Sequence, residues 1–288
     1  MLRDGALVTR LRRDAIRVSG PDALAFLQGQ CSQDLAALAP GQSAWSLILG
    51  PQGKVDALVR ATRVEDDVIV LDVDGGFGAA VIGRLQRFKL RIKADIEPLA
   101  WRGLAVRGPS APGVAAVSAG PDLLVVDASW PGLPGLDLIG ADPPAPAGIG
   151  LGSADVFELV RIEAGTPAMG AELTDRTIPA ESGLVELTVS FTKGCYTGQE
   201  LVARIDSRGG HVPRHLRGLT LSAPVALGSP VTVDGREVGA ITSVAKTPDG
   251  GAVALAYIHR DVSPPTSASV VGGDGAAAAT IRALPLVA

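Results

Sequence analysis

The sequence predicts an α+β fold that ends in a C-terminal β-barrel. Helical and strand-like segments alternate over residues 1–213, whereas 214–288 contains short strand-like runs alone. Glycine (36 residues) and proline (21 residues) make up about a fifth of the 288 residues without a collagen-like period. That composition is typical of many tight turns between short elements. We therefore expect an α+β region over 1–213 and a barrel over 214–288.

The first element expected along the chain is a helix over residues 21–30. Ser19 can cap this helix, Pro21 suits its first turn, and apolar residues recur at helical spacing as far as Cys31. The next expected elements are strands broken by turns over 44–74, a helix over 77–88, short strands at 123–126 and 136–139, and a proline-rich linker over 141–150.

The second half of the chain is expected to turn from helices to strands. We expect a helix capped by Ser153 over 153–164, a strand over 184–191 and a helix over 198–206. After Pro213, strands are expected at 216–221, 230–233, 237–244 and 252–258. Asp-Gly and Asp-Gly-Gly turns separate several of these runs, and the spacing favours a small barrel of about 75 residues.

The charge and the cysteine content exclude several classes of protein. The net charge is −4, which argues against broad affinity for nucleic acid because that requires a clearly positive face. Two cysteines, Cys31 and Cys195, are too few for a disulfide scaffold. The sequence has no run of 18 apolar residues and no signal-peptide core. We therefore expect a cytoplasmic protein with no membrane partner and no direct nucleic-acid partner.

The densest polar motif of the chain is KGCYTGQE at residues 193–200. It falls between a predicted strand and a predicted helix, so Cys195 lies just before a helix N-terminus. Free backbone N–H groups there, together with the charge of Lys193, favour a thiolate. The motif is compatible with a reactive or ligand-contacting thiol, and also with a small residue buried in a tight turn. No histidine completes a catalytic pair, and no metal site is expected from a single cysteine.

Glu163 is the second candidate, because it continues the apolar stripe of the helix predicted at 153–164. A carboxylate on a core-facing stripe costs free energy unless it is paired. Glu163 could reach solvent at the helix end, or pair with Arg161 or Arg176. Alternatively it could anchor a ligand, since a carboxylate accepts two parallel hydrogen bonds from an adjacent N–H and amino group, as on the edge of a pterin.

Asp56 and a run of basic residues are further candidates. Asp56 follows the turn at 51–54 and precedes an apolar strand, so it could face a cavity as an acid or base. An aspartate in that position is more often a solvated turn residue. The basic residues between 84 and 93 could receive an anionic partner, or form a solvated helix face. Cys31 is expected to pack in the core.

The motif at 193–200, continued by Val202, Ala203 and Arg204, resembles the signature of the YgfZ family of folate-binding proteins. That family belongs to the superfamily that includes the aminomethyltransferase (T-protein) of the glycine cleavage system. Weaker matches follow in the expected order: the early helix at 26–30, the turn at 51–54, the Arg-Ile-Glu-Ala-Gly segment at 161–165, and barrel segments at 239–244 and 255–258. The resemblance extends over nearly the whole chain.

The resemblance implies a three-lobed body around a central hole that binds tetrahydrofolate or a derivative, with a second subdomain inserted at about 47–150. It implies that Glu163 is the pterin-binding glutamate. It also implies that Lys193 and Cys195 belong to the functional motif of the family. The residues expected to bind the folate together with Glu163 are Asp56, Met169, Lys193, Cys195 and Tyr196. Members of the family support the assembly or repair of iron–sulfur proteins and, through them, certain tRNA modifications.

Two departures from the T-protein pattern bear on the activity. T-proteins carry a catalytic pair of aspartates where this chain has Asp56 and Ala57, and commonly an aromatic residue near folate where it has Met169. The resemblance therefore favours an accessory protein whose partners are iron–sulfur proteins. The alternative is a folate-dependent aminomethyltransferase or other one-carbon transferase, in which Asp56, Lys193 and Cys195 are the candidate catalytic residues.

Overall fold

The computed structural model describes residues 5–114, 120, 122–272 and 275–287, which form two antiparallel sheets, a closed barrel and five α-helices. The strands are β1 (Leu7–Leu11), β2 (Arg13–Ser19), β3 (Ser43–Leu49), β4 (Val55–Glu65), β5 (Val68–Asp74), β6 (Asp95–Leu99), β7 (Arg102–Arg107), β8 (Leu123–Asp127), β9 (Gly135–Gly140), β10 (Arg214–Leu221), β11 (Pro230–Val233), β12 (Arg236–Lys246), β13 (Ala252–His259), β14 (Thr266–Gly272) and β15 (Gly275–Arg282). The α-helices are α1 (Ala23–Gln30), α2 (Gly78–Phe88), α3 (Ala154–Ala164), α4 (Val185–Thr188) and α5 (Gln199–Ser207), and short 3₁₀ helices span Ala111–Val114 and Pro179–Glu181.

The first sheet has the strand order β3-β4-β5-β2-β6 and packs α1 and α2 against one face. Leu27 of α1 and Leu85 of α2 are fully buried in that core. The N-terminus of α2 lacks a cap from its own N-cap side chain. Asp14 on β2 supplies it instead, because its carboxylate accepts the N–H of Gly78 at 2.8 Å. A charged residue of an early strand thereby fixes the start of the helix.

The second sheet, in the order β1-β7-β9-β8, packs against the other face of the first sheet. Leu124 and Ile139 contact Val70 of β5 across this interface. The two sheets thus bury their facing apolar residues as a sandwich, while α1 and α2 cover the outer face of the first sheet.

The C-terminal strands close into a barrel with the order β10-β13-β12-β11-β14-β15. Its core combines Leu219 and Ile281 with small residues such as Ala254 and Ala256. Asp234 and Gly235 both have positive φ, 50° and 77°, and form the two-residue turn between β11 and β12. Such a turn matches the twist of paired antiparallel strands, which explains the Asp-Gly signal in the sequence.

The predicted α+β class and the C-terminal barrel are confirmed. The helices predicted at 77–88, 153–164 and 198–206 are present as α2, α3 and α5. Ser153 caps α3, because its hydroxyl accepts the N–H of Val156 at 3.3 Å. The predicted domain bounds stay predictions. Within the described residues, no helix is both long and apolar enough to cross a bilayer.

Three local predictions are wrong. The segment 184–191 is not a strand: it forms α4 and then bends, and the Thr188 hydroxyl closes the turn by donating to the Leu184 carbonyl at 2.7 Å. The first element is not a helix, since β1 and β2 precede it. Ser19 does not cap α1, because it belongs to β2 and the N-cap position is Asp22. For Ser19, pairing with Val68 of β5 outweighs the local preference for a helix cap.

Candidate functional site

A cavity of about 790 Å³ lies where the two sheets, α3 and the barrel meet, and we call it the central cavity. Its lining includes Arg13, Trp45, Asp74, Arg107, Trp130, Phe157, Arg161, Glu181, His215 and Arg217. These residues come from distant parts of the chain. A space of this size with aromatic walls and a few charged groups is typical of a site for a small molecule or cofactor.

The first wall of the central cavity is built around Trp45 on β3. The guanidinium carbons of Arg13 and Arg60 lie 5.3 and 5.1 Å from the centroid of the Trp45 ring. Arg13 also pairs with Asp74, whose side chain stays 34% exposed. The second Asp74 oxygen accepts the N–H of Met169 at 2.9 Å. This wall therefore offers an aromatic surface beside a carboxylate that has acceptor positions to spare.

The second wall is built around Arg107 on β7, which lies against Trp130 and Phe157 at 4.5 and 5.7 Å from the ring centroids. Asp137 accepts hydrogen bonds from Arg107 (2.8 Å) and from Arg60 of the first sheet (3.0 Å). Burial by itself raises the pKa of Asp137, but the two guanidiniums outweigh it and hold that pKa below its ordinary value. This buried network fixes the two aromatic walls relative to each other.

The third wall joins α3 to the barrel through Arg161. Its guanidinium donates to Glu158 and Glu172 and, at 2.7 Å, to the hydroxyl oxygen of Ser243 on β12. The Ser243 hydroxyl in turn donates to Glu172 at 2.6 Å. Because Glu172 is buried and shared by both elements, the network sets the position of α3 against the barrel.

Glu181 is a functional candidate that sequence reasoning missed. It ends the 3₁₀ helix Pro179–Glu181, lines the central cavity and is only 3% exposed. Arg214 donates to both of its oxygens at 3.1 and 3.2 Å, and the Arg214 guanidinium carbon lies 4.5 Å from the Tyr257 ring centroid. The available signal was a glutamate within the apolar, proline-containing segment 178–184.

None of the six predicted site residues lines the central cavity: these are Asp56, Glu163, Met169, Lys193, Cys195 and Tyr196. Glu163 on α3 is half-buried, and its carbonyl accepts the N–H of Leu286 at 2.7 Å, whereas the next residue, Ala164, does line the cavity. Met169 lies behind the Trp45 wall, where its sulfur accepts the N–H of Leu58 at 3.3 Å. The role of Glu163 as a pterin anchor stays a prediction from the resemblance.

The other four predicted site residues gather at a separate surface: Asp56, Lys193, Cys195 and Tyr196. There residues 193–200 pack against the turn at 51–54 and the end of α1, and we call this the motif surface. Gly53 and Gly198 both have positive φ, and a Cβ atom at either would lie 2.5 Å from a neighbouring atom. The close approach of the two segments therefore requires glycine at both positions.

Lys193 organises the motif surface through backbone contacts. Its ammonium donates to three carbonyls that follow or end α1: Gln28 (2.7 Å), Cys31 (2.7 Å) and Gln33 (2.9 Å). It also lies 5.3 Å from the centroid of the Tyr196 ring. Partial burial lowers the pKa of Lys193. Lys193 thus acts as a cap on the end of α1, where a cation is favoured.

The two cysteines occupy opposite environments at the motif surface. Cys195 is exposed, whereas Cys31 is fully buried and its thiol pKa is raised to about 11 by that burial. Two residues after Cys195 in the motif, Thr197 donates its N–H to the Gly29 carbonyl at 3.2 Å. The motif surface therefore presents one thiol to solvent on a backbone tied to α1.

Asp56 lies at a β-bulge in β4. Val55 pairs with Leu49 and Ala57 with Ile48, so Asp56 is the extra residue between them. The bulge turns its carboxylate toward α2, where Arg84 donates to it at 3.2 Å. The structure therefore places Asp56 in an ion pair.

Comparisons with known proteins identify the class of protein that has two sheets and a barrel around one cavity. Residues 10–125 match the family model described as the GCVT N-terminal domain. The fold is similar to the crystal structure of glycine cleavage system aminomethyltransferase T from Bartonella henselae, with a TM-score of 0.82 at 20% identity over 99% of this chain and 87% of that one. The protein therefore has the aminomethyltransferase fold.

Proteins of similar sequence show which family within this fold class the chain belongs to. The tRNA-modifying protein YgfZ of Edwardsiella ictaluri is 30% identical over 298 residues, which cover 94% of this chain and 89% of that protein. The mitochondrial iron–sulfur cluster assembly factor IBA57 of Mus musculus is 29% identical over 270 residues, 85% of this chain and 72% of its own length. A chloroplastic protein of Arabidopsis thaliana is 39% identical over 131 residues, 45% of this chain and 30% of its own length. The chain belongs to the YgfZ family.

Proposed function

We propose that the protein binds a reduced folate in the central cavity and acts in the cytoplasm as a folate-dependent accessory factor for iron–sulfur proteins. The observation that carries the folate assignment is the cavity lining, which includes the Trp45 ring and the carboxylates of Asp74 and Glu181. A pterin uses both features, because its ring stacks on an aromatic face and its adjacent N–H groups donate to a carboxylate.

The two carboxylates fit this role because neither has used all its acceptor positions. Asp74 accepts from Arg13 and Met169, and Glu181 accepts from Arg214 and Ile178. An ionised carboxylate has about four acceptor positions, so each retains capacity for a ligand N–H group. A bound tetrahydrofolate supplies a carrier for one-carbon units, and this chain supplies its binding and orientation.

Calorimetric titration of the purified protein with 5-formyltetrahydrofolate tests the folate assignment. We expect saturable binding with one site per chain, and no binding of a benzoylglutamate fragment that lacks the pterin. Absence of saturable heat with the full ligand would overturn the assignment. The fragment is the matched control because it carries the same carboxylates without the ring that faces Trp45.

The accessory role is supported by the relatives and by the motif surface. Two of the relatives are named for tRNA modification and for iron–sulfur cluster assembly. The motif surface presents Cys195 to solvent and ties its backbone to α1, as expected for a thiol that meets a partner protein. In this proposal tRNA modification depends on iron–sulfur enzymes, so no direct contact with nucleic acid is needed.

Complementation tests the accessory role. A bacterial strain that lacks its own family member is given the wild-type gene, Cys195→Ser or Cys31→Ser, and the activities of several iron–sulfur enzymes are measured. We expect the wild type and Cys31→Ser to restore those activities and Cys195→Ser to fail, with all three proteins present at equal levels. Full rescue by Cys195→Ser would remove the thiol from the function, and no rescue by the wild type would overturn the proposal.

The alternative is a one-carbon transferase, which the fold favours. The similarity to the aminomethyltransferase fold extends over 99% of the chain, but Asp56 forms an ion pair with Arg84 and is followed by Ala57. An assay with tetrahydrofolate and an aminomethylated lipoyl carrier separates the two functions. Ammonia release together with methylenetetrahydrofolate formation would establish the transferase.

A further inference from the structure

The basic residues between 84 and 93 lie outside the central cavity, and the structure divides them into two groups. Arg84 is buried and pairs with Asp56, and the Lys89 ammonium lies 3.9 Å from an Asp95 oxygen. The other three have exposed side chains: Arg87, Arg91 and Lys93. Within the part of the chain that the structure describes, none of these three side chains makes a hydrogen bond or an ion pair. Three positive charges thus stand together in solvent on a chain whose net charge is −4.

Two apolar side chains stand among these charges, since Phe88 is 38% exposed and Leu90 is 80% exposed. The core-facing side of α2 is separate from them, because Val81 and Leu85 pack under the first sheet. The guanidinium carbon of Arg84 lies 3.7 Å from the centroid of the Phe88 ring and supports that ring at the surface. We call the exposed set the basic patch: Arg87, Phe88, Leu90, Arg91 and Lys93.

The backbone of the basic patch is anchored and conformationally unusual. The Asp22 carboxylate accepts the N–H of Lys93 at 2.8 Å, and the Asp22 N–H donates to the Lys93 carbonyl at 3.2 Å. Arg91 has a φ of 58°, in the left-handed region that a residue with a Cβ atom seldom adopts. Such strain persists only where the surrounding structure holds it, and it is concentrated at functional positions. The anchored turn keeps Leu90 pointing into solvent.

Arg84 connects the basic patch to the motif surface. Besides its ion pair, Arg84 donates to the Gln30 side chain at 3.0 Å, at the end of α1, and to the Leu49 carbonyl at 3.2 Å. The end of α1 therefore contacts both Arg84 and the motif that carries Cys195. One partner can cover both surfaces.

The chemistry of the basic patch fits an acidic protein segment that also carries apolar side chains. Unpartnered guanidinium and ammonium groups attract carboxylates, and Phe88 and Leu90 offer apolar contact beside them. Nucleic acid fits less well, because the chain is negatively charged overall and Arg84 covers one face of the Phe88 ring on which a base would stack.

We infer that the basic patch is a docking surface for an acidic segment of the iron–sulfur protein that meets Cys195. This inference rests on the proposed accessory function and adds the charge and the position of the contact. The exposed charges steer the approach of the acidic partner, and the apolar pair fixes its position.

Charge reversal in the complementation assay tests the docking surface. The double variant Arg87→Glu/Arg91→Glu should restore iron–sulfur enzyme activities about 10-fold less well than the wild type, because attractive contacts become repulsive. The matched control is Arg236→Glu/Lys246→Glu, which makes the same charge change at exposed positions of β12 and should restore the activities fully. Both double variants should bind 5-formyltetrahydrofolate like the wild type, because none of the four residues lines the central cavity.

Photocrosslinking in the complemented strain shows what the basic patch contacts. The full chain carries p-benzoylphenylalanine in place of Leu90, and in a control chain in place of Val271, an exposed residue of the barrel. We expect Leu90 replacement to give a crosslink to an iron–sulfur protein, at a peptide in which acidic residues outnumber basic ones. The crosslink should be lost when Arg87→Glu/Arg91→Glu is added, and the control chain should not form it.

The possible outcomes separate this inference from the function on which it rests. Full rescue by Arg87→Glu/Arg91→Glu, or an equal loss in the control pair, overturns the docking surface and leaves the accessory function in place. So does a missing crosslink, or a crosslink to nucleic acid, to a basic peptide or to a second copy of this chain. No rescue by the wild type overturns the accessory function as well. Should the double variant fail to fold, Leu90→Ser decides, because it changes a largely exposed side chain, and full rescue by it overturns the docking surface.

Discussion

The central cavity and the motif surface use their basic residues in opposite ways. In and behind the cavity walls, Arg13, Arg60 and Arg107 lie against aromatic rings and pair with aspartates from neighbouring strands or the facing sheet. At the motif surface Lys193 donates to three backbone carbonyls at one helix end. The cavity is thus held by buried charge pairs between distant segments, and the motif surface by backbone contacts. The two regions should therefore respond separately to substitution.

The largest effect is expected from breaking the cavity network at Asp137. Asp137→Ala leaves Arg60 and Arg107 without their shared buried partner, which should lower the free energy of unfolding by about 3–5 kcal/mol. Urea denaturation measures this change. Asp66→Ala is the control, because its pair with Arg63 is exposed and should contribute little. Equal shifts in the two variants would contradict the account of the cavity.

The next effect concerns which carboxylate faces the ligand. Glu181→Gln should weaken folate binding about 10- to 100-fold, because a charged hydrogen-bond acceptor in a buried site is lost. If the carboxylate that lines the cavity binds the pterin, Glu163→Gln should weaken folate binding less than Glu181→Gln does. If Glu163 is the pterin anchor that the family resemblance implies, Glu163→Gln should weaken folate binding equally or more. Calorimetry on both variants, with thermal unfolding to confirm that each is folded, compares the two assignments.

A smaller effect is expected at Lys193. Lys193→Met removes the donor to three carbonyls and should lower the free energy of unfolding by about 1–2 kcal/mol. Amide exchange should rise at residues 28–33, where the lost contacts lie. Folate affinity should stay unchanged, because Lys193 does not line the cavity. Lys246→Met, at an exposed strand end, is the control for the loss of a positive charge.

The smallest effect is expected when folate is added and the alkylation rates of the two cysteines are measured. Cys195 is exposed and should alkylate in the folded protein, whereas Cys31 is buried with a thiol pKa of about 11 and should alkylate only on unfolding. Saturating folate should leave the Cys195 rate unchanged, because the motif surface and the cavity have separate linings. Mass spectrometry of both cysteines measures this. Protection of Cys195 by folate would show that the motif surface and the central cavity form one site.

Local patterns in the sequence predicted most of the helices and the barrel. Helix α3 follows from its apolar period and the Ser153 cap, and the β11–β12 hairpin from its Asp-Gly turn. Strands β1 and β2 were missed because charged residues interrupt their apolar pattern. Two of those charges, Arg13 and Asp14, are satisfied only by tertiary contacts with β5 and α2. Propensity does not encode such contacts.

Most of the residues that line the cavity were not singled out in the sequence, for a related reason. Trp45, Asp74, Trp130 and Glu181 meet in the cavity although they are far apart in sequence, and each has an ordinary local context. The KGCYTGQE motif is contiguous, so it drew attention to a surface that lies apart from the cavity lining. Contiguous motifs are visible in a sequence, whereas a cavity between lobes depends on packing between distant segments.

Tryptophan fluorescence tests the central claim, that the cavity binds a reduced folate, most directly. Of the three tryptophans, Trp45 and Trp130 line the cavity and Trp101 packs between the sheets. Titration with 5-formyltetrahydrofolate should quench the emission saturably, and the quenching should shrink in Trp45→Phe while Trp101→Phe keeps it. Emission that does not saturate, or saturable quenching that is lost only in Trp101→Phe, would contradict folate binding in this cavity.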